Sequence, residues 1–113
     1  MNPGIRVYLY DKEGMRFFGE GPYKLLCLIE ETGSLRSAAI KMNMAYTKAL
    51  SLIKHAETAL GFSLTRKNIG GIGGGGSILT PEAKNFLEKY ETYRKACYEA
   101  NSRIYHEVFS DQS

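Results

Sequence analysis

Hydrophobic and polar positions divide this chain into stretches of two periods. Ile5, Val7 and Leu9 alternate with Arg6, Tyr8 and Tyr10, a period of two that predicts a strand. Asp11-Lys12-Glu13-Gly14 reads as a turn in which Gly14 supplies a positive φ, and Met15 to Phe18 as the returning strand. A lone hairpin is unstable in water, so this one is expected to pack on helices or to pair with a partner chain. Gly19, Gly21 and Pro22 break the strand. Leu25, Leu26, Cys27, Leu28 and Ile29 then predict a largely buried helix from about Pro22 to Thr32, with Gly33 as its stop. The adjacent carboxylates Glu30 and Glu31 read as its solvated end.

Ser34 suits the N-cap of a second helix, Leu35 to about Met42, whose Ala38 and Ala39 allow close packing. A short turn at Asn43 to Ala45 leads into the amphipathic stretch from Met44 to Gly61. At roughly 100° per residue, Ala45, Ala49, Leu52, Ile53, Ala56 and Leu60 fall on its inner side. Thr47, Ser51, Lys54 and Thr58 fall on the outer side, flanked by Lys48 and His55. The outer face holds hydroxyls and cations and no carboxylate, so it suits a polyanion. Two helices in contact through alanines, a tight turn and a polar, basic second helix predict a helix-turn-helix.

Phe62, Leu64 and Thr65 read as a strand. After Arg66, Lys67 and Asn68 comes IGGIGGGG, and Ser77, Ile78 and Leu79 read as the returning strand. A hairpin with a long glycine tip, directly after a helix-turn-helix, predicts the wing of a winged helix. Gly71-x-Gly73-x-x-Gly76 matches a dinucleotide fingerprint only by glycine density, because the flanking βαβ pattern is missing. Glycines do let backbone N–H groups come close to phosphate oxygens. Thr80 then caps a last helix, with Pro81 at its first position, running to about Phe109. Its apolar stripe is Ala83, Phe86, Leu87, Tyr90, Tyr93, Cys97, Ala100, Ile104 and Val108. So small a body cannot bury the whole stripe. The distal half is expected to pack on another subunit, the alternative being that the stripe closes the chain's own core.

Length and charge sharpen this picture. The 113 residues suit one domain, 1–113, divided into a hairpin (1–19), helices (22–61, with the helix-turn-helix at 34–61), a wing (62–79) and a long helix (80–109). The expected class is α+β, mainly α. No apolar run approaches the ~18 residues needed to span a bilayer. Asn2, Pro3 and Gly4 do not open a signal peptide, so a cytoplasmic location and no membrane partner are expected. Cys27 and Cys97 fall on apolar sides of helices and read as buried small hydrophobes. His55 and His106 stand apart from any nucleophile or ligand set, so no enzyme, metal or cofactor is expected. The net charge of +3 is uneven: residues 34–80 carry Arg36, Lys41, Lys48, Lys54, Arg66 and Lys67 against Glu57 alone. The segments on either side are each slightly acidic. This is the footprint of a nucleic-acid contact.

The stretch TGSLRSAAIKMNMAYTKALSLIKHAETALG resembles the N-terminal helix-turn-helix of LysR-type regulators and of the molybdate-responsive ModE family. FFGEGPYKLL, the MAY opening the second helix and especially GGIGGGGSILT are closer to ModE, over nearly the whole chain. The resemblance implies a winged-helix domain that dimerises, binds double-stranded DNA and regulates transcription, often of molybdate-uptake or molybdoenzyme genes. Ala45 stands where the family usually has Ser, which removes an N-cap, and Leu50 where it usually has Trp. ModE regulators commonly continue into a molybdate-binding region, which does not follow here. The expectation is therefore a DNA-binding domain without a molybdate site of its own, with a separate effector-binding protein as a candidate partner.

On this reading Tyr46, Thr47, Lys48 and Ser51 meet base edges, and Arg36, Ser37 and Lys54 meet phosphates. Arg66, Lys67 and Ser77, with Gly74 and Gly75 of the tip, approach the DNA backbone or minor groove. Tyr90, Tyr93, Cys97, Ala100, Ile104 and Val108 form the dimer interface. The rival reading is a protein-docking module that uses the same fold and the long apolar helix.

Overall fold

The computed structural model describes residues 1–68 and 76–110. The chain is α+β and mainly helical. Its elements are β1 (Leu9–Tyr10), β2 (Arg16–Phe18), α1 (Glu20–Thr32), α2 (Leu35–Lys41), α3 (Tyr46–Leu60), β3 (Thr65–Asn68), β4 (Gly76–Leu79) and α4 (Pro81–Val108).

The first hairpin is shorter than the alternation predicts. Leu9 pairs with Phe18 and Tyr10 with Arg16, with a register shift between them. The turn is closed by the Asp11 carboxylate, which accepts the Glu13 and Met15 N–H groups at 2.9 Å each. Residues 5–8 join no strand among the described residues. The reason lies at the other end of the hairpin, where Gly19 already caps α1 and leaves β2 too short to pair further back. The leading segment runs along α4 instead. The Tyr90 hydroxyl donates to the Val7 carbonyl at 2.9 Å and the Tyr105 hydroxyl to the Met1 carbonyl at 2.7 Å. The lengths agree: the fifteen-residue step from Tyr90 to Tyr105 rises about 22 Å in a helix, and six extended residues span about 20 Å.

Helix α1 starts at Glu20, two residues earlier than expected. Pro22 fits inside because the N–H it lacks would have no partner in the first turn. Gly33 and Gly61 close α1 and α3 in the left-handed region, at φ 73° and 83°. Side chains of Ser34 and Thr80 cap α2 and α4, accepting from the Ser37 and Ala83 N–H groups. Asn43, at φ 55°, turns the chain between α2 and α3.

The core lies among α1, α2, α3 and the first half of α4. Ala38, Ala39, Ala49 and Ala56 are buried where α2 and α3 approach their neighbours. Leu25, Leu26, Ile29, Ile53 and Leu64 fill the centre. Phe18 meets Phe86 and Tyr90 edge-on, both at 4.8 Å between ring centres. Burying such large side chains stabilises by about 1.5–3 kcal/mol each. Glu57 ties α3 to the next segment by accepting the Leu64 N–H at 2.7 Å. Thr80 holds the foot of the second hairpin, donating to the Ser63 carbonyl at 2.6 Å.

The molecule is long, 60 × 29 × 24 Å, with a radius of gyration of 16.9 Å. A compact chain of this length has about 13 Å. The 28 residues of α4 extend about 42 Å and carry its second half past the core.

Candidate nucleic-acid interface

The outward face of α3 is built by what its inner face buries. Ala49, Ile53 and Ala56 are buried, which turns Thr47, Lys48, Ser51, Lys54, His55 and Thr58 outward, all exposed. Ala45, expected on the inner side, is exposed because it precedes the helix as N-cap. It offers no side-chain hydrogen bond. The first N–H groups of α3, at the positive end of the helix dipole, therefore receive no capping oxygen from the N-cap side chain.

Arg36 of α2 comes to the same end of α3. Its guanidinium lies over the Tyr46 ring, 4.6 Å from the ring centre. Such a stack holds the planar guanidinium with its N–H edge free to donate. Ser37 is exposed beside it, its backbone N–H bonded to the Ser34 hydroxyl at 3.0 Å. Lys54 lies 3.8 Å from Glu57, an exposed cation beside a mostly covered carboxylate. With the lysine end open to water and the contact long, the pair holds Lys54 weakly and leaves it available. The Thr58 hydroxyl is turned back onto the Lys54 carbonyl at 3.0 Å.

The second hairpin pairs Thr65 with Leu79, Arg66 with Ile78, Lys67 with Ser77 and Asn68 with Gly76. Successive strand residues point to opposite faces, so Arg66 and Lys67 are separated. Lys67 shares its face with Ser77. Arg66 lines a cleft of about 360 Å³ with Glu30, Ser77, Ile78 and Lys84. β4 is fastened to the α1–α2 turn, where the Ser77 N–H donates to the Gly33 carbonyl at 2.7 Å. A Cβ on Gly76 would lie 3.1 Å from that same carbonyl oxygen, so the close approach favours glycine there. Gly74 and Gly75 lie outside the described residues.

The expected dimer residues divide. Tyr90 is corrected: it is 2% exposed, bonded to the Val7 carbonyl and packed on Phe18, and so belongs to the chain's own core. Cys97 and Ala100 are half-buried. Tyr93, Ile104 and Val108 are exposed.

The structure also places cations that the sequence pattern does not single out. Arg6 and Arg16, from the leading segment and β2, line a cleft of about 430 Å³ together with Lys48 and His55. They lie in a stretch whose acids outnumber its bases, so regional charge hides them. Glu20 also lines this cleft, but its carboxylate is held from α4. Arg94 donates to it twice, at 2.5 and 3.2 Å, and the Tyr98 hydroxyl once, at 2.8 Å. The Arg94 hydrogen bond, reinforced by Tyr98, holds the Glu20 carboxyl below the usual carboxylate value.

Among the described residues, no cluster of His, Cys, Asp or Glu is placed to hold a metal. Nor is any helix long and apolar enough to cross a membrane. In comparisons with known proteins, no family model matches the chain and no curated protein matches it.

Proposed function

We propose that this chain is a dimeric winged-helix regulator that binds double-stranded DNA, with α3 entering the major groove and the β3–β4 hairpin acting as the wing. The observation that carries this reading is the outward face of α3, where Thr47, Lys48, Ser51, Lys54 and His55 are exposed with no carboxylate among them. An α-helix about 10–12 Å across fits a major groove about 12 Å wide. Tyr46, Thr47, Lys48 and Ser51 then meet base edges, and Arg36, Ser37 and Lys54 meet phosphates. Lys67 and Ser77, with Gly74 and Gly75, approach the sugar–phosphate backbone. Arg66, which lines one cleft with Ser77, is kept with them as a contact to the backbone or minor groove. The resemblance to ModE regulators directs the first trials to promoters of molybdate-transport and molybdoenzyme genes, with and without molybdate.

The test is titration of labelled duplexes at two salt concentrations. Tight binding to one two-fold related site, falling steeply with salt, supports the proposal. In that case Lys54→Ala weakens binding on every sequence and lowers the salt slope by about one unit per protomer. Thr47→Ala changes base preference more than overall affinity. The exposed apolar residues of distal α4 favour a second reading, a protein-docking module, and absence of DNA retention at low salt would leave that reading in front.

A further inference from the structure

The cleft lined by Arg6, Arg16, Lys48 and His55 adjoins the face of α3, and of these four only Lys48 is among the contacts assigned above. Lys48 belongs to both surfaces, so the two are continuous. A helix seated in the major groove nearly fills its width, and its flanks therefore meet the phosphates that line the groove. One strand presents a phosphate about every 3.4 Å of duplex axis. Whatever adjoins the Lys48 and His55 flank of α3 thus lies over a phosphate run.

Arg16 is well prepared for that position. It is exposed, and its guanidinium lies over the Tyr8 ring, 4.4 Å from the ring centre. Among the described residues it makes no ion pair with a carboxylate. Glu20 is the carboxylate in the cleft wall, and its charge is answered from the α4 side by Arg94. The cleft therefore presents positive charge that no internal acid neutralises.

We infer that this cleft seats the phosphate backbone of duplex DNA beside α3, with Arg16 as its principal contact. The inference rests on the DNA-binding reading above and adds the N-terminal hairpin to the contact surface.

The test compares the wild-type chain with Arg16→Gln, Arg16→Lys and Lys95→Gln, the last on an exposed part of α4. Each is titrated with one specific and one unrelated duplex across a salt series. Arg16→Gln is expected to lower the salt slope by about one unit per protomer and to weaken binding roughly five- to tenfold per protomer at about 0.1 M salt, equally on both duplexes. Arg16→Lys keeps the slope, and Lys95→Gln leaves it unchanged. A steep wild-type slope that Arg16→Gln does not alter overturns this inference and leaves the DNA-binding reading standing. A loss confined to the specific duplex overturns the phosphate assignment. Saturable binding of inorganic phosphate that Arg16→Gln abolishes, with the DNA slope unchanged, assigns the cleft to a free oxyanion and overturns it as well. If the wild type itself shows no salt-dependent binding, the DNA-binding reading fails and the inference with it.

Discussion

Glu20, Arg94 and Tyr98 show how single side chains join distant parts of this chain. The Glu20 carboxylate opens α1 and is gripped from α4 by both groups. Arg94 in turn lies over the Tyr98 and Tyr23 rings, at 4.8 and 5.4 Å from their centres. The Arg94 hydrogen bond lowers the Glu20 pKa below the ordinary 4.5, so around that pH the unfolded chain binds more protons than the folded one. The contribution is then complete above the ordinary value and is lost as pH falls through the lowered one. Glu20→Gln should cost about 1.5–3 kcal/mol at neutral pH, the range for hydrogen bonds to charged groups. It should also flatten the fall in melting temperature on going from about pH 5 to pH 3. Thermal melts of both proteins across that interval check this, and parallel curves would remove Glu20 as a source of acid sensitivity. Tyr90 carries the opposite lesson. Burial pushes its hydroxyl up to about 12 and it donates a hydrogen bond to the Val7 carbonyl, whereas the helical stripe alone placed it in the dimer interface.

At the scale of elements, the caps explain why the helices were readable. Ser34, Thr80 and Pro81 start them, and Gly33 and Gly61 stop them, through bonds or φ values reaching no more than four residues. The two side-chain caps are not equivalent. Ser34 is half-buried and accepts one N–H, whereas Thr80 is buried, accepts the Ala83 N–H and donates to the Ser63 carbonyl. Ser34→Ala should therefore cost about 1 kcal/mol. Thr80→Ala should cost about 2 kcal/mol, because it also strands a carbonyl at the foot of the second hairpin. Urea unfolding of the two variants tests the ranking, and equal losses would mean that the Ser63 bond adds nothing. The first strand was the element least readable from the chain. Its alternation is real, but pairing needs a partner strand, and β2 is too short to serve residues 5–8.

The whole molecule is shaped by α4, whose first half closes the core and whose second half projects from it. Ile104 and Val108 are 50% and 67% exposed on that projection, and Phe109 beyond it is 41% exposed. The leading segment lies against the same half through the Tyr105–Met1 bond. If two chains pair there, Ile104→Asp should convert a dimer into a folded monomer, as read by sedimentation and circular dichroism. A wild-type monomer at micromolar concentration would remove the dimer from the proposal. Helix lengths, caps and the acid-free face of α3 depend on residues within about a turn of one another, so periodicity and capping chemistry reveal them. Which residues of the long stripe turn inward, why residues 1–8 follow a helix, and how Arg16 comes to share a cleft with Lys48 and His55 were settled only on folding. Those outcomes depend on contacts between residues far apart in the chain, and no local pattern encodes them.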